Sequence, residues 1–144
     1  MTILRAGADS FEQMGIDEAF LDVSQRSALS FEAAAEIARS LKAEIRGQEG
    51  LTCSVGVGPN KLVAKIAADE AKPDGLTVVR PEQVLQFLYP LAVGRVVGVG
   101  RKTAERLGAM GIKTIGDLAA LDAQRLVEAF GESLGTYLHN ASKG

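Results

Sequence analysis

Three features of the sequence predict an α+β fold in two parts. Near the start, two short apolar runs flank an acidic pair, Asp17-Glu18, in the manner of strand, turn and strand. A long segment with apolar residues at helical spacing follows, and after it a strand, helix, strand succession. From Leu91 onward strand patterns vanish and small residues crowd short helical segments. The expectation is an antiparallel or mixed sheet with helices over residues 1–90, then a small all-α module over residues 91–144.

The 144 residues suit one ordinary domain or two very small ones. With no Trp and five Phe, the core must be built mainly from Ala, Val, Leu and Ile. No apolar run approaches the ~20 residues that span a bilayer, and residues 1–10 lack the continuous hydrophobic segment of a secretory signal. One cysteine, Cys53, permits no internal disulfide and fits a reducing, cytoplasmic setting. The net charge of −2 hides an asymmetry: residues 1–90 carry 9 basic against 13 acidic groups, residues 91–144 carry 7 against 5. An acidic part suits a cation and a mildly basic part suits phosphate.

In the opening hairpin, Phe11, Met14 and Ile16 precede the acids, and Ala19, Phe20, Leu21 and Val23 follow them. Gly15 frees the backbone to turn just before the pair. Neighbouring side chains on a regular strand point to opposite faces, so two adjacent acids share one cation only where a turn or bulge breaks the pleat. Such a pair is equally at home as solvated surface, and the rest of the chain has to decide. Ser30 can cap a helix in which Phe31, Ala34, Ala38, Leu41 and Ile45 form one buried face, with Gly47 and Gly50 at its stop.

Leu51 to Val57 alternates and is rich in β-formers, so it reads as a strand with Cys53 as a buried filler. Gly58-Pro59-Asn60 turns into a helix running to about Ala71. On it Lys61 and Lys65 lie four apart and share a face, and Lys72 follows at its end. A helix start after a glycine-bearing turn, with two lysines on one face, can receive a polyphosphate; two solvated lysines are the alternative. Lys72-Pro73-Asp74-Gly75 is a turn, Leu76 to Val79 a short strand, and Pro81 to Leu88 a helix.

In the second part, a short helix over Leu91 to Val96 leads into Val97-Gly98-Val99-Gly100 and a helix from Arg101 to Leu107. Glycines in such a hairpin let the backbone approach a ligand closely. Arg101, Lys102 and Arg106 add charge, so the unit can grip a nucleic-acid phosphate without reading bases; an ordinary helical hairpin is the alternative. Thr114 caps Ile115 to Ala120, Asp122 caps Ala123 to Ala129, and a hairpin at Phe130 to Ser133 precedes a last helix over Leu134 to Ser142. The predicted core of this module is Leu107, Ile112, Ile115, Leu118, Leu121, Leu126, Val127, Phe130, Leu134 and Leu138, with His139 on the surface.

Three of these patterns resemble, in order, motifs of the Y-family, DNA polymerase IV-like translesion polymerases. Gly15-Ile16-Asp17-Glu18-Ala19-Phe20-Leu21-Asp22-Val23 is similar to their Ser-Ile-Asp-Glu-Ala palm motif. Ser54 to Ala67, with Ala71-Lys72-Pro73-Asp74-Gly75, resembles the second palm motif. Val97 to Leu107 and Gly111 to Leu118 resemble the thumb. The resemblance covers about Phe11 to Gly144 and implies a partial palm over 1–90 and a helix-hairpin-helix thumb over 91–144.

The family implies Mg²⁺-dependent, template-directed nucleotidyl transfer at a two-metal site, with a DNA primer-template and a deoxynucleoside triphosphate as partners in lesion bypass. Mg²⁺ favours hard carboxylate oxygens. By resemblance Asp17 is a metal ligand and Glu18 the adjacent acid of the same catalytic site. Lys65 corresponds to the lysine that meets the triphosphate, with Lys61 as a second candidate. Gly98 and Gly100, with Arg101 and Lys102, correspond to the hairpin that holds the DNA backbone. The family's further catalytic Asp lies on an early strand well before the pair, together with the fingers; only 16 residues precede Asp17, and Asp9 lies too close to supply that strand. Gly15 stands where serine is usual, and the family's little finger has no counterpart. The expectation is therefore a chain that does not extend primers alone. An open sheet edge would pair with an N-terminal palm and fingers polypeptide or with a second copy. The alternative is a non-catalytic, sequence-independent DNA-binding helix-hairpin-helix module.

Overall fold

The computed structural model describes residues 1–144. They form two compact units, Met1–Val79 and Arg80–Gly144, so the chain parts one short helical segment before the composition change at Leu91.

The first unit opens with a short helix, α1 (Thr2–Ala6), that no periodicity in so brief a stretch could announce. An antiparallel ribbon follows, β1 (Ser10–Gln13) and β2 (Ala19–Asp22), in the register Ser10 with Asp22 through Gln13 with Ala19. Its tip closes where the Glu18 carbonyl accepts from both the Met14 N–H (2.9 Å) and the Gly15 N–H (3.3 Å). The long helix α2 (Phe31–Glu49) starts where Ser30 Oγ accepts the Ala33 N–H and stops at Gly50, whose φ of +65° suits a residue without Cβ. Ala34, Ala35, Ala38 and Leu41 are its buried stripe. Gly47 lies inside this helix, not at its end.

A parallel pair, β3 (Val55–Val57) and β4 (Leu76–Val78), is connected through α3 (Lys61–Glu70). The strand expected from Leu51 is shorter than its sequence pattern. Leu51 to Ser54 has no partner strand, Leu51 is 62% exposed, and the Cys53 carbonyl is taken by Lys42 Nζ instead of a ladder. Cys53 itself is half-buried, and burial pushes its thiol pKa up, as suits a filler and not a nucleophile. Gly56 and Gly58 do more than turn the chain. A Cβ on Gly56 would lie 2.1 Å from the Ala64 carbonyl oxygen, and one on Gly58 would lie 2.8 Å from the Ala64 nitrogen. Their bare backbone lets α3 lie against β3, burying Val63, Ile66 and Ala67 almost completely. Asp74 pairs with Lys42 of α2 (2.6 Å) and Arg46 (3.6 Å), anchoring the turn before β4.

The second unit is helical: a 3₁₀ turn at Pro81–Gln83, α4 (Val84–Leu88), a 3₁₀ turn at Val93–Arg95, α5 (Arg101–Ala109), α6 (Ile115–Ala119), α7 (Ala123–Phe130) and α8 (Glu132–Ala141). The 3₁₀ turn replaces the short helix expected at Leu91–Val96. Leu107, Ile115, Leu118, Leu126 and Leu138 are fully buried, whereas Leu121, Val127, Phe130 and Leu134 of the expected core are half-buried. α7 and α8 meet at a single residue, Gly131 (φ +84°), so the hairpin is tighter than four residues. A Cβ on Gly135 would lie 2.5 Å from the Val127 nitrogen, which shows how closely α8 packs on α7. That packing half-buries His139, expected on the surface, and its Nε2 lies 2.8 Å from Lys143 Nζ. No helix is long and apolar enough to cross a membrane.

Candidate functional site

Two places in the structure gather the residues singled out by the sequence, one in each unit. In the first unit the β1–β2 ribbon and α3 meet through charge. The ribbon register sets Glu12 opposite Phe20 on one side, and Glu18 lies just before β2 at the tip. Lys61 and Lys65, four apart on α3, reach those residues. Lys61 Nζ is paired with Glu12 and lies 5.5 Å from the centre of the Phe20 ring. Lys65 Nζ donates to Glu18 Oε1 at 2.6 Å and sits 3.3 Å from Asp69 Oδ1. Asp69 in turn holds Lys72 Nζ at 2.7 Å. The result is an alternating row, Glu18, Lys65, Asp69, Lys72.

The electrostatics follow from that row. Partial burial would lower the Lys65 pKa, but the hydrogen bonds to Glu18 and Asp69 outweigh it and hold the ammonium above its ordinary value. Burial likewise works against the Asp69 carboxylate, and Lys72 and Lys65 overcome it and hold its pKa low. Every member is partly exposed, Lys65 at 26% and Glu18 at 47%, so each pair is worth at most about 1 kcal/mol and can open.

The two adjacent acids of the tip differ. Glu18 is bound to Lys65, while the exposed Asp17 carboxylate carries neither ion pair nor hydrogen bond. Both offer hard oxygens at the apex of a turn, the donor type and backbone setting that suit Mg²⁺. They amount to part of a cation shell at most, because no group of three or more His, Cys, Asp or Glu gathers in a metal-holding arrangement.

Sequence reasoning passed over Glu12 and Asp69, the partners of both candidate lysines. The signal for Asp69 was present in its place four residues after Lys65 on one helix. The N-terminus of α3 is less open than a phosphate cradle would be, because Asn60 Oδ1 accepts the Val63 N–H at 3.0 Å.

In the second unit Gly98 has φ +83° and Gly100 precedes the first residue of α5, with nothing within 4 Å of a notional Cβ on Gly100. The hairpin is fixed from behind, where the Tyr137 hydroxyl donates to the Val97 carbonyl. Arg101 is 89% exposed with one loose partner, Glu105 at 3.4 Å, and Lys102 is exposed beside it. Arg106 is not part of this surface: its guanidinium stacks 4.8 Å from the Phe130 ring centre and donates to the Ala129 carbonyl, tying α5 to the end of α7.

An acid-tipped ribbon against a lysine helix, followed in the chain by successive helical hairpins, is what the resemblance to polymerase palm and thumb motifs implies. The impB/mucB/samB family model matches residues 1–69, and the model of the DNA polymerase-iota thumb domain matches residues 96–144. DNA polymerase IV 1 of Methanosarcina mazei is 48% identical over 100% of this chain and 41% of its own length. DNA polymerase IV of Methanoculleus marisnigri is 51% identical over 100% of this chain and 39% of its own. The crystal structure of DinB from Sulfolobus solfataricus superposes with a TM-score of 0.92 at 39% identity, covering 99% of this chain and 42% of that one. An insertion ternary complex of Dbh DNA polymerase gives the same TM-score, identity and coverage. The chain belongs to the Y-family DNA polymerases, as a DNA polymerase IV-like segment, and spans about two-fifths of the length of the curated relatives it matches.

Proposed function

We propose that this chain supplies the palm acid turn, residues 1–90, and the thumb, residues 91–144, of a Mg²⁺-dependent, template-directed DNA polymerase acting in DNA repair by lesion bypass. The observation that supports the reading is the 2.6 Å apposition of Lys65 and Glu18, an ammonium of the kind that receives phosphate beside a carboxylate of the kind that receives a cation. Asp17 and Glu18 would contribute to holding Mg²⁺, whose chemistry is to lower the pKa of a primer hydroxyl and steady charge on the reacting phosphate. Lys65, with Lys61 as a second contact, would receive the triphosphate. Gly98, Gly100, Arg101 and Lys102 would hold the backbone of a primer-template. The lone half-buried thiol of Cys53 agrees with a reducing, cytoplasmic setting.

As a 144-residue chain the protein is expected not to extend primers, because two acids leave the cation shell under-charged. An assay with primer-template, Mg²⁺ and all four deoxynucleotides would overturn this if template-dependent products appeared. Each two-stranded sheet has edges on which a further palm strand, or a second copy, would dock.

The exposed Arg101 and Lys102 beside an unobstructed glycine hairpin favour a second reading, a sequence-independent DNA-binding module without catalysis. In that case Asp17→Asn leaves DNA affinity unchanged. Replacing Arg101 and Lys102 together by Ala reduces the magnitude of the slope of log affinity against log salt by about 2. An unchanged slope rejects the hairpin as the contact.

A further inference from the structure

The pairing of Lys65 with Glu18 has a second side. The two residues come from different elements, the ribbon tip and α3, and their sequence neighbours lie far apart in the chain. The carboxylate oxygen 2.6 Å from Lys65 Nζ occupies the position that a phosphate oxygen would take on the same ammonium. We propose that Glu18 is a built-in competitor for phosphate at Lys65, so that the lysine receives a triphosphate only when Glu18 lets go. The proposal rests on the reading of Lys65 as a phosphate-binding residue.

The geometry gives Lys65 somewhere to stay when Glu18 leaves. Asp69, one helical turn along at 3.3 Å and itself steadied by Lys72 at 2.7 Å, keeps the ammonium at the edge of α3. Glu18 is the more exposed partner. It stands at the tip of a four-residue-stranded ribbon and is 47% exposed, whereas Asp69 is fixed within the helix that carries Lys65. A divalent cation drawing on the Glu18 carboxylate would take it from Lys65, so cation and phosphate would each favour the other's arrival.

The test is titration calorimetry of the 144-residue chain with inorganic tripolyphosphate in the presence of a chelator, without metal. Lys65→Ala is expected to lower the affinity. Glu18→Gln is expected to raise it by about 1.5- to fivefold, the range an exposed ion pair commands, and to give no gain once Lys65 is already Ala. Thermal unfolding of each variant checks that the fold is kept. If the Glu18→Gln gain persists in the Lys65→Ala background, the effect is general charge and the competition is overturned. If Lys65→Ala weakens binding and Glu18→Gln changes nothing, the competition fails while the phosphate reading stands. If tripolyphosphate binds with no dependence on Lys65, or does not bind, the phosphate reading falls and this proposal with it.

Discussion

Gly56→Ala tests the packing that sets the lysine helix against the ribbon. The added methyl would lie 2.1 Å from the Ala64 carbonyl oxygen, 2.4 Å from the Ala68 nitrogen and 2.9 Å from the Ala67 carbonyl carbon. Comfortable contacts begin near 3.5 Å. All three obstacles are backbone atoms of α3, which no rotamer change can move, so β3 and α3 must part by more than about 1 Å. Val63, Ile66 and Ala67 are exposed by 0%, 1% and 0%. Full burial of a Val or Ile side chain is worth about 1.5–3 kcal/mol, and losing about half of it for the two gives about 1.5–3 kcal/mol. For a unit of this size each kcal/mol shifts the melting temperature by roughly 4–8 °C, so melting falls by about 6–24 °C. With no Trp in the chain, far-UV circular dichroism is the probe. Gly15→Ala, in the same unit and with open space around it, is the control. Melting of Gly56→Ala within about 2 °C of the parent would refute the close-packing argument.

Gly47→Ala lies inside α2 with nothing within 4 Å, so it should stabilise by about 0.5–1 kcal/mol in urea unfolding. Asn60→Ala removes the acceptor of the Val63 N–H and should cost about 1 kcal/mol by the same measurement. Backbone N–H groups of Thr114 and Lys113 hold the Asp117 carboxyl below its ordinary pKa. A lowered pKa in the folded state stabilises above the unfolded value, near 4, and that contribution disappears as pH falls below it. Asp117→Asn should therefore lessen the loss of stability between pH 5 and about 2, seen in melts across that range.

The parts of the fold that the sequence made legible are those where local signals agree. In α2 a 19-residue apolar period, a serine cap and a left-handed glycine all point one way. The acid-tipped hairpin was legible because a short turn is a local decision. What stayed hidden depends on distant partners. Leu51 to Ser54 has a strand's pattern but nothing to pair with. Gly56 and Gly58 read as turn residues, and their role against α3 exists only once the helix folds back. Arg106 looked like a free cation on a basic face, and only the approach of α7 gives it Phe130 and the Ala129 carbonyl. At the site, the spacing of Lys61 and Lys65 predicted a shared face, but that Glu12 and Glu18 would meet them is a tertiary fact.

The two small sheets carry a consequence for the order of folding. Each is made from neighbours in the chain: the ribbon closes within Ser10–Asp22, and the parallel pair closes within Val55–Val78 around its own helix. Neither waits for a distant strand, and short loop closures are the fast events of folding. The acid tip and the lysine helix can thus each take shape early and separately. The salt links between them, from Glu12 to Lys61 and from Glu18 to Lys65, then form as one of the last events. On hydrogen exchange the interior of α3 and the amides that close the ribbon tip, Met14 and Gly15, should therefore gain protection independently of one another.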